Sequence, residues 1–388
     1  MFRNVIKSGT AWALERTNGH HWIATLTGSA KAPAVIGYHR VVERYTPDGW
    51  NAIPAMCISR QMLERHLDWI GRRFRFISLE ELGARMQWGG RFDAPVAVVT
   101  FDDGYRDVYE NAFPLLKKKG IPAAMFVCPG LVGTRRLLPH DELYLLLARA
   151  FVRWKAEGRT LPRFLLNHGV WLPGLDRMAR VFSDPFPAMQ FLLNGLPQSE
   201  LYRVIRALQR EVELEEEALE PLRLMDWDMV LEMHRAGMTI GSHTRTHALL
   251  PNESRQRMEA EAAGSRVELE RHLGAPVRHF AYPCGRFDKA AIDAIADAGY
   301  RYAYTTCLHH DQNYPLLTIS RKLLWENSCL DSRGVFSAPI LSCQLKWVYD
   351  LVVRCKQNHG CPPAGAMVYK DIPSLSAFAG RDSTRLAA

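Results

Sequence analysis

The chain has 388 residues, a formal net charge of +8 and a pI near 9.1, and this length suits one large α/β domain with additions or two domains. The basic residues do not gather into one arm or stripe, and no nucleic-acid motif is present, so we expect no nucleic-acid partner. The charge favours an anionic partner such as a membrane surface or an acidic glycan, although a plain basic soluble surface explains it equally well.

The cysteines and the N-terminal segment indicate in which cellular compartment the protein is expected. The eight cysteines are scattered, with neither a CxxC pair nor a short disulfide framework, which indicates reduced thiols. Glu15 and Arg16 interrupt any apolar stretch near the N-terminus, so we expect no signal peptide, and no apolar run approaches the roughly 20 residues of a spanning helix. We predict a cytoplasmic protein whose N-terminal arm either contacts an anionic inner-membrane surface or is a frayed terminus.

Short apolar runs recur along the chain, and each is followed by an amphipathic segment. The runs cover residues 32–39, 95–101, 122–127, 237–243, 277–283 and 300–306. Several of the amphipathic segments close on a glycine, which favours a helix end. Strand, helix and glycine repeated in this order predict parallel βα units, and hence an α/β barrel or an open doubly wound sheet.

Two stretches depart from this pattern. Residues 132–222 carry helical patterns with few strand signals, so we interpret them as a mostly helical insertion that governs substrate access or partner docking rather than folding of the barrel. Near the C-terminus, an amphipathic helix is predicted over 341–356, followed by a tail. The predicted organisation is an N-terminal arm (1–32), a barrel with its insertion (33–335), and a C-terminal helix and tail (336–388).

Two adjacent carboxylates and a histidine pair form the strongest chemical signal. Asp102 and Asp103 directly follow an apolar run. A cation bound between the two carboxylates would offset their repulsion, whereas the alternative is an exposed Asp-Gly turn. His243 and His247 stand four apart at the end of another predicted strand, and alone they are a weak signal. In barrels, the residues that do chemistry lie at the C-terminal strand ends. One Asp and two His match a hydrolytic metal site, which leaves the second Asp free to act as a base.

Four segments carry a resemblance to a known family. TFDDG (100–104) and HTRTH (243–247) resemble the first two motifs of the polysaccharide deacetylase family, also called the NodB-homology or carbohydrate esterase family 4 domain. FAYPCG (280–285) is similar to the third motif, and IGYHRV (36–41) is similar to the opening of one subgroup of exopolysaccharide-type deacetylases. The resemblance covers about residues 33–325.

The resemblance implies a fold and a set of roles. It implies a deformed (β/α)7 barrel in which Asp102 is the general base and a divalent metal, commonly zinc, is bound by Asp103, His243 and His247. A divalent cation lowers the pKa of its water and polarises an acetamide carbonyl, and Asp102 accepts the water proton. A backbone N–H in the turn at Cys284 is the candidate donor to the oxyanion.

The chain also departs from the family pattern. Where the third motif carries an arginine that holds the base, this chain has Ala281, and Arg278 lies three residues upstream. The Leu-x-x-His motif that supplies the general acid is not found. We consider His39, His309 and His310 as substitutes; the alternatives are a buried histidine bonded to the backbone for the first and a solvated loop for the other two.

Two functions from different classes follow. The favoured one is a metal-dependent N-deacetylase acting on N-acetylhexosamine units of an exopolysaccharide, cell-wall glycan or lipid-linked glycan precursor. The rival is a glycan-binding or assembly protein that keeps the metal ligands without turnover, and the missing general-acid motif keeps it open. The sequence leaves open the sugar, its linkage, the acyl group and the oligomeric state.

Overall fold

The computed structural model describes residues 2–17, 19, 22, 32–46, 52–89, 92–175, 184–350, 355 and 357–360. The strands are β1 (Ala34–Tyr38), β2 (Arg40–Val42), β3 (Cys57–Ser59), β4 (Arg75–Phe76), β5 (Val96–Phe101), β6 (Ala123–Val127), β7 (Thr239–Ser242), β8 (His279–Ala281), β9 (Tyr302–Thr305), β10 (Ile319–Ser320) and β11 (Lys322–Leu323). The helices are α1 (Phe2–Arg16), α2 (Arg60–Gly71), α3 (Leu79–Gln87), α4 (Phe113–Lys119), α5 (Pro139–Glu157), α6 (Leu161–Asn167), α7 (Pro185–Gly195), α8 (Gln198–Gln209), α9 (Glu216–Leu219), α10 (Trp227–Arg235), α11 (Arg255–Leu273), α12 (Lys289–Asp297) and α13 (Ala338–Leu345). A π-helix (Val108–Ala112) precedes α4, and short 3₁₀ turns occupy Pro54–Met56, Glu220–Leu222, Leu250–Asn252, Pro283–Gly285, Pro315–Leu317 and Glu326–Cys329.

A parallel sheet forms the centre of the molecule, with the strand order β10-β9-β8-β7-β6-β5-β1-β11. Its two ends meet, because β10 pairs with β9, β11 pairs with β1, and only Arg321 separates β10 from β11 in the chain. The segment 319–323 is therefore one stave that closes a ring of seven parallel staves in the described part of the chain. The predicted deformed (β/α)7 barrel is confirmed, and the open doubly wound alternative is wrong.

Three of the barrel staves, β1, β5 and β6, are buried along their whole length because both of their faces are covered. Every residue of β1, β5 and β6 is buried, as expected for parallel strands with side chains inside and helices outside. Gly241 in β7 permits close packing, since a Cβ there would lie 2.5 Å from the Phe126 ring and 3.0 Å from the carbonyl oxygen of His279. The sequence thus spaces its strands so that their C-terminal ends share one rim.

The outer helices begin and end at the signals seen in the sequence. Ser59 and Ser78 accept hydrogen bonds from backbone N–H groups in the first turns of α2 and α3, which satisfies donors that a helix start leaves unpaired. Gly120 and Gly274 end α4 and α11 with positive φ angles of 64° and 63°. These capping residues fix where the chain turns back towards the next strand.

Residues 132–222 contain α5 to α9 and no strand among their described residues. Helix α5 is buried over most of its length and packs against α7 and α8. Its side chains belong to the apolar core between the outer faces of the barrel strands and the surrounding helices, which is separate from the cluster inside the barrel. This shared core argues against the expectation that the insertion serves access alone, because its removal would uncover apolar surface of the barrel.

The first and the last helix of the described chain pack against each other. Ala11 of α1 is fully buried, α1 packs against α13, and the Lys7 Nζ atom donates a hydrogen bond to the Ser328 carbonyl oxygen at 2.6 Å. The frayed-terminus alternative is therefore wrong for this part of the arm. The helix predicted over 341–356 is wrong in its bounds among the described residues, because α13 begins at Ala338 and ends at Leu345, and Trp347 takes a left-handed φ of 59°; residues 351–354 and 356 of that prediction, and the predicted tail from residue 361, lie outside the described residues.

Two expectations concern a membrane: the absence of a spanning helix and contact of the N-terminal arm with a membrane surface. None of the helices in the described ranges is long and apolar enough to cross a bilayer. Contact with an anionic membrane surface stays a prediction. The exposure of Trp12, at 58%, favours it, whereas the internal hydrogen bond of Lys7 makes this cation less available to a membrane.

Candidate active site

The predicted site residues lie at the C-terminal rim of the barrel. Asp102 follows β5 and its N–H donates to the Tyr38 carbonyl oxygen, while His243 follows β7 and its N–H donates to that of Val127. Asp103 and His247 have positive φ angles of 76° and 62°, a conformation that costs about 1–3 kcal/mol for residues other than glycine. Such strain persists where the surrounding structure enforces it, and it concentrates at functional sites.

Asp103, His243 and His247 meet in one buried cluster. Asp103 Oδ1 lies 3.4 Å from His243 Nε2 and 3.2 Å from His247 Nε2. A tetrahedral zinc centre, with metal–oxygen and metal–nitrogen bonds of about 2.1 Å, would separate these atoms by about 3.4 Å. Burial alone would raise the pKa of Asp103, but the two imidazoles beside it hold that pKa well below its usual range.

Hydrogen bonding also fits this cluster to a cation. Neither carboxylate oxygen of Asp103 has a hydrogen-bond partner of good geometry among the described residues. His243 places Nδ1 2.7 Å from the Ala281 carbonyl oxygen, and this contact leaves Nε2 with the lone pair that faces Asp103. A buried carboxylate without a hydrogen-bond partner of good geometry, beside the Nε2 atoms of His243 and His247, is the donor set of a divalent cation.

The second carboxylate, Asp102, is held by an arginine. Arg321 is fully buried, and its Nη1 and Nη2 atoms donate to Asp102 Oδ1 and Oδ2 at 2.7 and 2.8 Å. Nη1 also lies 3.1 Å from Thr100 Oγ1. Burial alone would raise the pKa of Asp102, but the Arg321 guanidinium lowers it below its ordinary value. Asp102 is therefore a fixed, ionised carboxylate next to the cation cluster.

Of the three histidines considered as the general acid, His39 lies at this rim. Its Nε2 atom is 4.0 Å from Asp102 Oδ2, and its side chain is 14% exposed. Burial lowers the pKa of His39. His310 instead points Nδ1 at the Thr318 carbonyl oxygen at 2.7 Å, and His309 stacks on His359. Both are buried away from the cavity, so the solvated-loop alternative is also wrong for them.

The turn at Cys284 faces the same space. Cys284 has a positive φ of 54°, and its side chain is exposed at the cavity. The turn is closed by the N–H groups of Gly285 and Arg286, whereas the Cys284 N–H meets no backbone acceptor in the described part of the chain. Gly285 is required here, because a Cβ would lie 2.0 Å from Thr306 Oγ1. The turn therefore holds an unused backbone donor near the two carboxylates.

A cavity of about 550 Å³ opens over these groups. His39, Asp103, His243, His247 and Cys284 line its polar side. Its opposite wall is largely apolar and is formed in part by Met56, Phe186, Met189, Leu193 and Trp325. Three of these wall residues belong to α7, so the helical insertion covers the site. The volume lies in the range of small-ligand pockets.

Comparison with known proteins identifies the family. Residues 89–178 and 184–303 match the family described as polysaccharide deacetylase, and these ranges make up more than half of the chain. The chain belongs to the polysaccharide deacetylase family. The resemblance drawn from the sequence motifs is thus confirmed, and so, at the level of the family, is the prediction of a polysaccharide deacetylase-type hydrolase.

Individual relatives are distant. The poly-beta-1,6-N-acetyl-D-glucosamine N-deacetylase of Staphylococcus epidermidis is 24% identical over 237 residues, covering 58% of this chain and 76% of that protein. The Staphylococcus aureus protein of the same name is 30% identical over 106 residues, covering 25% of this chain and 36% of its own length. A solved structure, the Streptococcus pyogenes deacetylase PplD in complex with acetate, has a TM-score of 0.49 at 17% identity, covering 76% of this chain and 93% of that chain.

The arginine beside the base is the main departure from the deacetylase-family motif. Arg278, the neighbour considered for this role, has a side chain that is 38% exposed and lies 3.6 Å from Glu80. Arg278 is therefore an ordinary strand-edge charge, and the arginine on Asp102 comes from the closing stave 319–323. An arginine between two short strands forms no recognisable motif, and the signal available in the sequence was the pair of charges Arg321 and Lys322 inside the otherwise mostly apolar segment 315–324.

The sequence analysis also missed a polar network that the deacetylase insertion brings to the site. His140 Nε2 lies 3.9 Å from Asp103 Oδ2 and 3.1 Å from the Tyr105 hydroxyl, which donates to Asp141 Oδ2 at 2.6 Å. Burial lowers the pKa of His140 to about 3 and raises that of Asp141 to about 7. The His140 ring also packs 4.7 Å from that of His247. This network backs the metal-ligand candidates with buried groups from α5.

Proposed function

We propose that this chain is a metal-dependent N-deacetylase that hydrolyses the N-acetyl groups of N-acetylhexosamine units in a polysaccharide. One observation carries the proposal: Asp102, clamped by Arg321, lies at the barrel rim beside the buried cluster of Asp103, His243 and His247. A fixed carboxylate next to an unpaired carboxylate and two imidazoles provides both a base and a cation site.

The first half of the reaction uses the two carboxylates differently. Asp103, His243 and His247 would hold a divalent cation, with zinc as the expected ion, and that ion would polarise the acetamide carbonyl and lower the pKa of a nearby water. Asp102 accepts the proton of the water as its oxygen forms a bond to the carbonyl carbon. Arg321 keeps Asp102 ionised and aimed at that position.

The second half of the reaction breaks the carbon–nitrogen bond. The Cys284 N–H donates to the oxygen that gains charge as the carbonyl becomes tetrahedral. His39, whose Nε2 atom lies 4.0 Å from Asp102 Oδ2, receives the proton that Asp102 took from the water and passes it to the sugar nitrogen, so that the carbon–nitrogen bond breaks, the sugar leaves as an amine and acetate remains. The cavity opening keeps His39 in reach of substrate, and no other histidine considered for the role lies there.

The substrate class is inferred from the relatives and the cavity. Two relatives are named as deacetylases of poly-beta-1,6-N-acetyl-D-glucosamine, which makes oligomers of that linkage the first substrates to test. The apolar faces of Phe186 and Trp325 support packing of pyranose rings against the cavity wall. We infer that a glycan chain crosses the rim beneath α7.

Acetate release tests the proposal. Full-length protein is incubated with β-1,6-linked and β-1,4-linked N-acetylglucosamine oligomers, before and after chelation and after addition of Zn²⁺. We expect acetate release that is lost on chelation, restored by Zn²⁺ and abolished by Asp102→Asn. Binding of the oligomers without acetate release under all these conditions would instead support the glycan-binding rival.

A further inference from the structure

A second group of metal-ligating side chains lies apart from the candidate active site. Cys307 follows β9, whereas Cys355 and His359 belong to the C-terminal part of the described chain. Their two sulfur atoms and one imidazole nitrogen all lie within 4.8 Å of one another. Chain segments about 50 residues apart in sequence therefore bring two thiols and an imidazole to one point.

The distances within this cluster match a tetrahedral metal centre. The Sγ atoms of Cys307 and Cys355 lie 3.6 and 3.3 Å from His359 Nε2. Zinc–sulfur bonds of about 2.3 Å and a zinc–nitrogen bond of about 2.05 Å at tetrahedral angles would separate sulfur from nitrogen by about 3.6 Å. Small adjustments of the side chains would bring both sulfurs to that separation.

His359 is already oriented as a ligand. Its Nδ1 atom lies 2.9 Å from the Phe287 carbonyl oxygen, so Nδ1 carries the proton and Nε2 presents its lone pair to the sulfurs. The ring is stacked 4.2 Å from the rings of both Phe287 and His309 and is only 4% exposed. A metal-binding histidine is commonly fixed in this way by a carbonyl behind it.

We propose that Cys307, Cys355 and His359 form a second metal site that binds Zn²⁺. Two thiolates and an imidazole are soft to intermediate donors that suit zinc better than Mg²⁺ or Ca²⁺. Both thiols release their protons when the ion binds. Water is the expected fourth donor that completes the tetrahedron.

This site would attach the C-terminal segment to the barrel rim. The His359 carbonyl oxygen accepts a hydrogen bond from the Lys289 N–H at 3.1 Å, so the segment already lies on the start of α12. Gln357, two residues before His359, lines the active-site cavity. The ion would therefore fix one piece of the cavity wall by linking it to the end of β9.

Metal stoichiometry and a cobalt spectrum test the proposal on the full chain. Reduced, metal-free protein is titrated with Zn²⁺ and, separately, with Co²⁺, whose bonds to thiolates give a charge-transfer band in the near ultraviolet. The variants are Cys307→Ser, Cys355→Ser and His359→Gln. Cys343→Ala, which changes a buried cysteine in α13, is the matched control, and His247→Gln removes a ligand from the candidate active site.

We expect the thiolate–cobalt band in the wild type, the Cys343→Ala control and His247→Gln, and its loss in Cys307→Ser and Cys355→Ser. Each cysteine variant should bind the metal at this site more than about 100-fold more weakly than the wild type. This loss exceeds the 10–100-fold that is typical when a residue hydrogen-bonded to a ligand, rather than the ligand itself, is replaced. The band depends on sulfur alone, so failure of the deacetylase proposal would leave this result unchanged. The second site would be overturned if the wild type lacked the band, or if a Cys307–Cys355 disulfide persisted after treatment with a reductant.

Discussion

Replacement of Arg321 is the sharpest test of the proposed catalytic pair. Arg321→Gln removes the cation that donates two hydrogen bonds to Asp102. Both side chains are buried, so the variant leaves a buried carboxylate without its partner. Arg321→Lys keeps a positive charge but cannot make the paired contact, and we expect it to fall between the wild type and Arg321→Gln.

The size of the effect follows from burial. Breaking a buried ion pair by removing one partner costs about 3–5 kcal/mol in the free energy of unfolding. A misplaced or protonated base also loses much of the roughly 10²–10⁴-fold that general base catalysis contributes. The pKa of Asp102 lies below its ordinary value of 3.8 in the wild type, so its stabilising contribution is complete above that pH and is lost as the pH falls through the lowered pKa.

The assay combines a pH profile of kcat/KM for acetate release with denaturant unfolding. With Arg321 gone, only His243 and His39 are left to oppose the effect of burial on the pKa of Asp102, so the acidic limb of the profile should move to higher pH in Arg321→Gln. The control is Arg278→Gln, which removes a partly exposed arginine near Glu80 and should change neither measurement. An unmoved acidic limb together with near-wild-type turnover in Arg321→Gln would refute the role given to Arg321.

Three further predictions concern neighbouring groups. Asp102→Asn should keep the metal and lose turnover, whereas Asp103→Asn should weaken metal binding first, as measured by elemental analysis beside acetate release. His39→Gln should lower kcat by about 10²–10⁴-fold with the metal content unchanged. Burial raises the pKa of Asp141 to about 7 from an ordinary 3.8, so the free energy of unfolding of chelated wild-type protein should fall by on the order of 4 kcal/mol as the pH rises between these values. Asp141→Asn should remove this dependence on pH. Exposed Asp228→Asn is the matched control in that unfolding series.

The sequence predicted the parts of the site that lie in short contiguous motifs. Asp102 and Asp103 follow one strand and His243 and His247 follow another, and parallel strands place such residues at one rim. The repeat of apolar runs predicted parallel βα units, because each run is a buried strand, but it left open a barrel or a doubly wound sheet, and the family resemblance pointed to the barrel. Closure of the barrel by residues 319–323 was not visible, since two-residue strands lack a pattern that distinguishes them from a loop.

The missed residues depend on contacts between distant parts of the chain. Arg321 meets Asp102 across 219 positions, and Tyr105 meets Asp141 across 36. Nothing local marks either partner, because a buried arginine and a buried helix-start carboxylate each have a composition that also suits an exposed position. The rule that charged residues are exposed holds for most of the chain. It fails where two buried polar groups form hydrogen bonds with each other.

The insertion contributes to the electrostatics of the cation cluster as well as to its cover. His140 has a pKa near 3 and Asp141 one near 7, so at pH 6 the first is neutral and the second is largely protonated. Asp103 therefore faces neutral groups from α5 on the side away from His243. With no competing charge there and little water, the attraction between Asp103 and a divalent cation is screened weakly. Helix α5 would thus favour metal binding at the proposed site without supplying a ligand, and on this proposal its removal should weaken the site even if the barrel still closed.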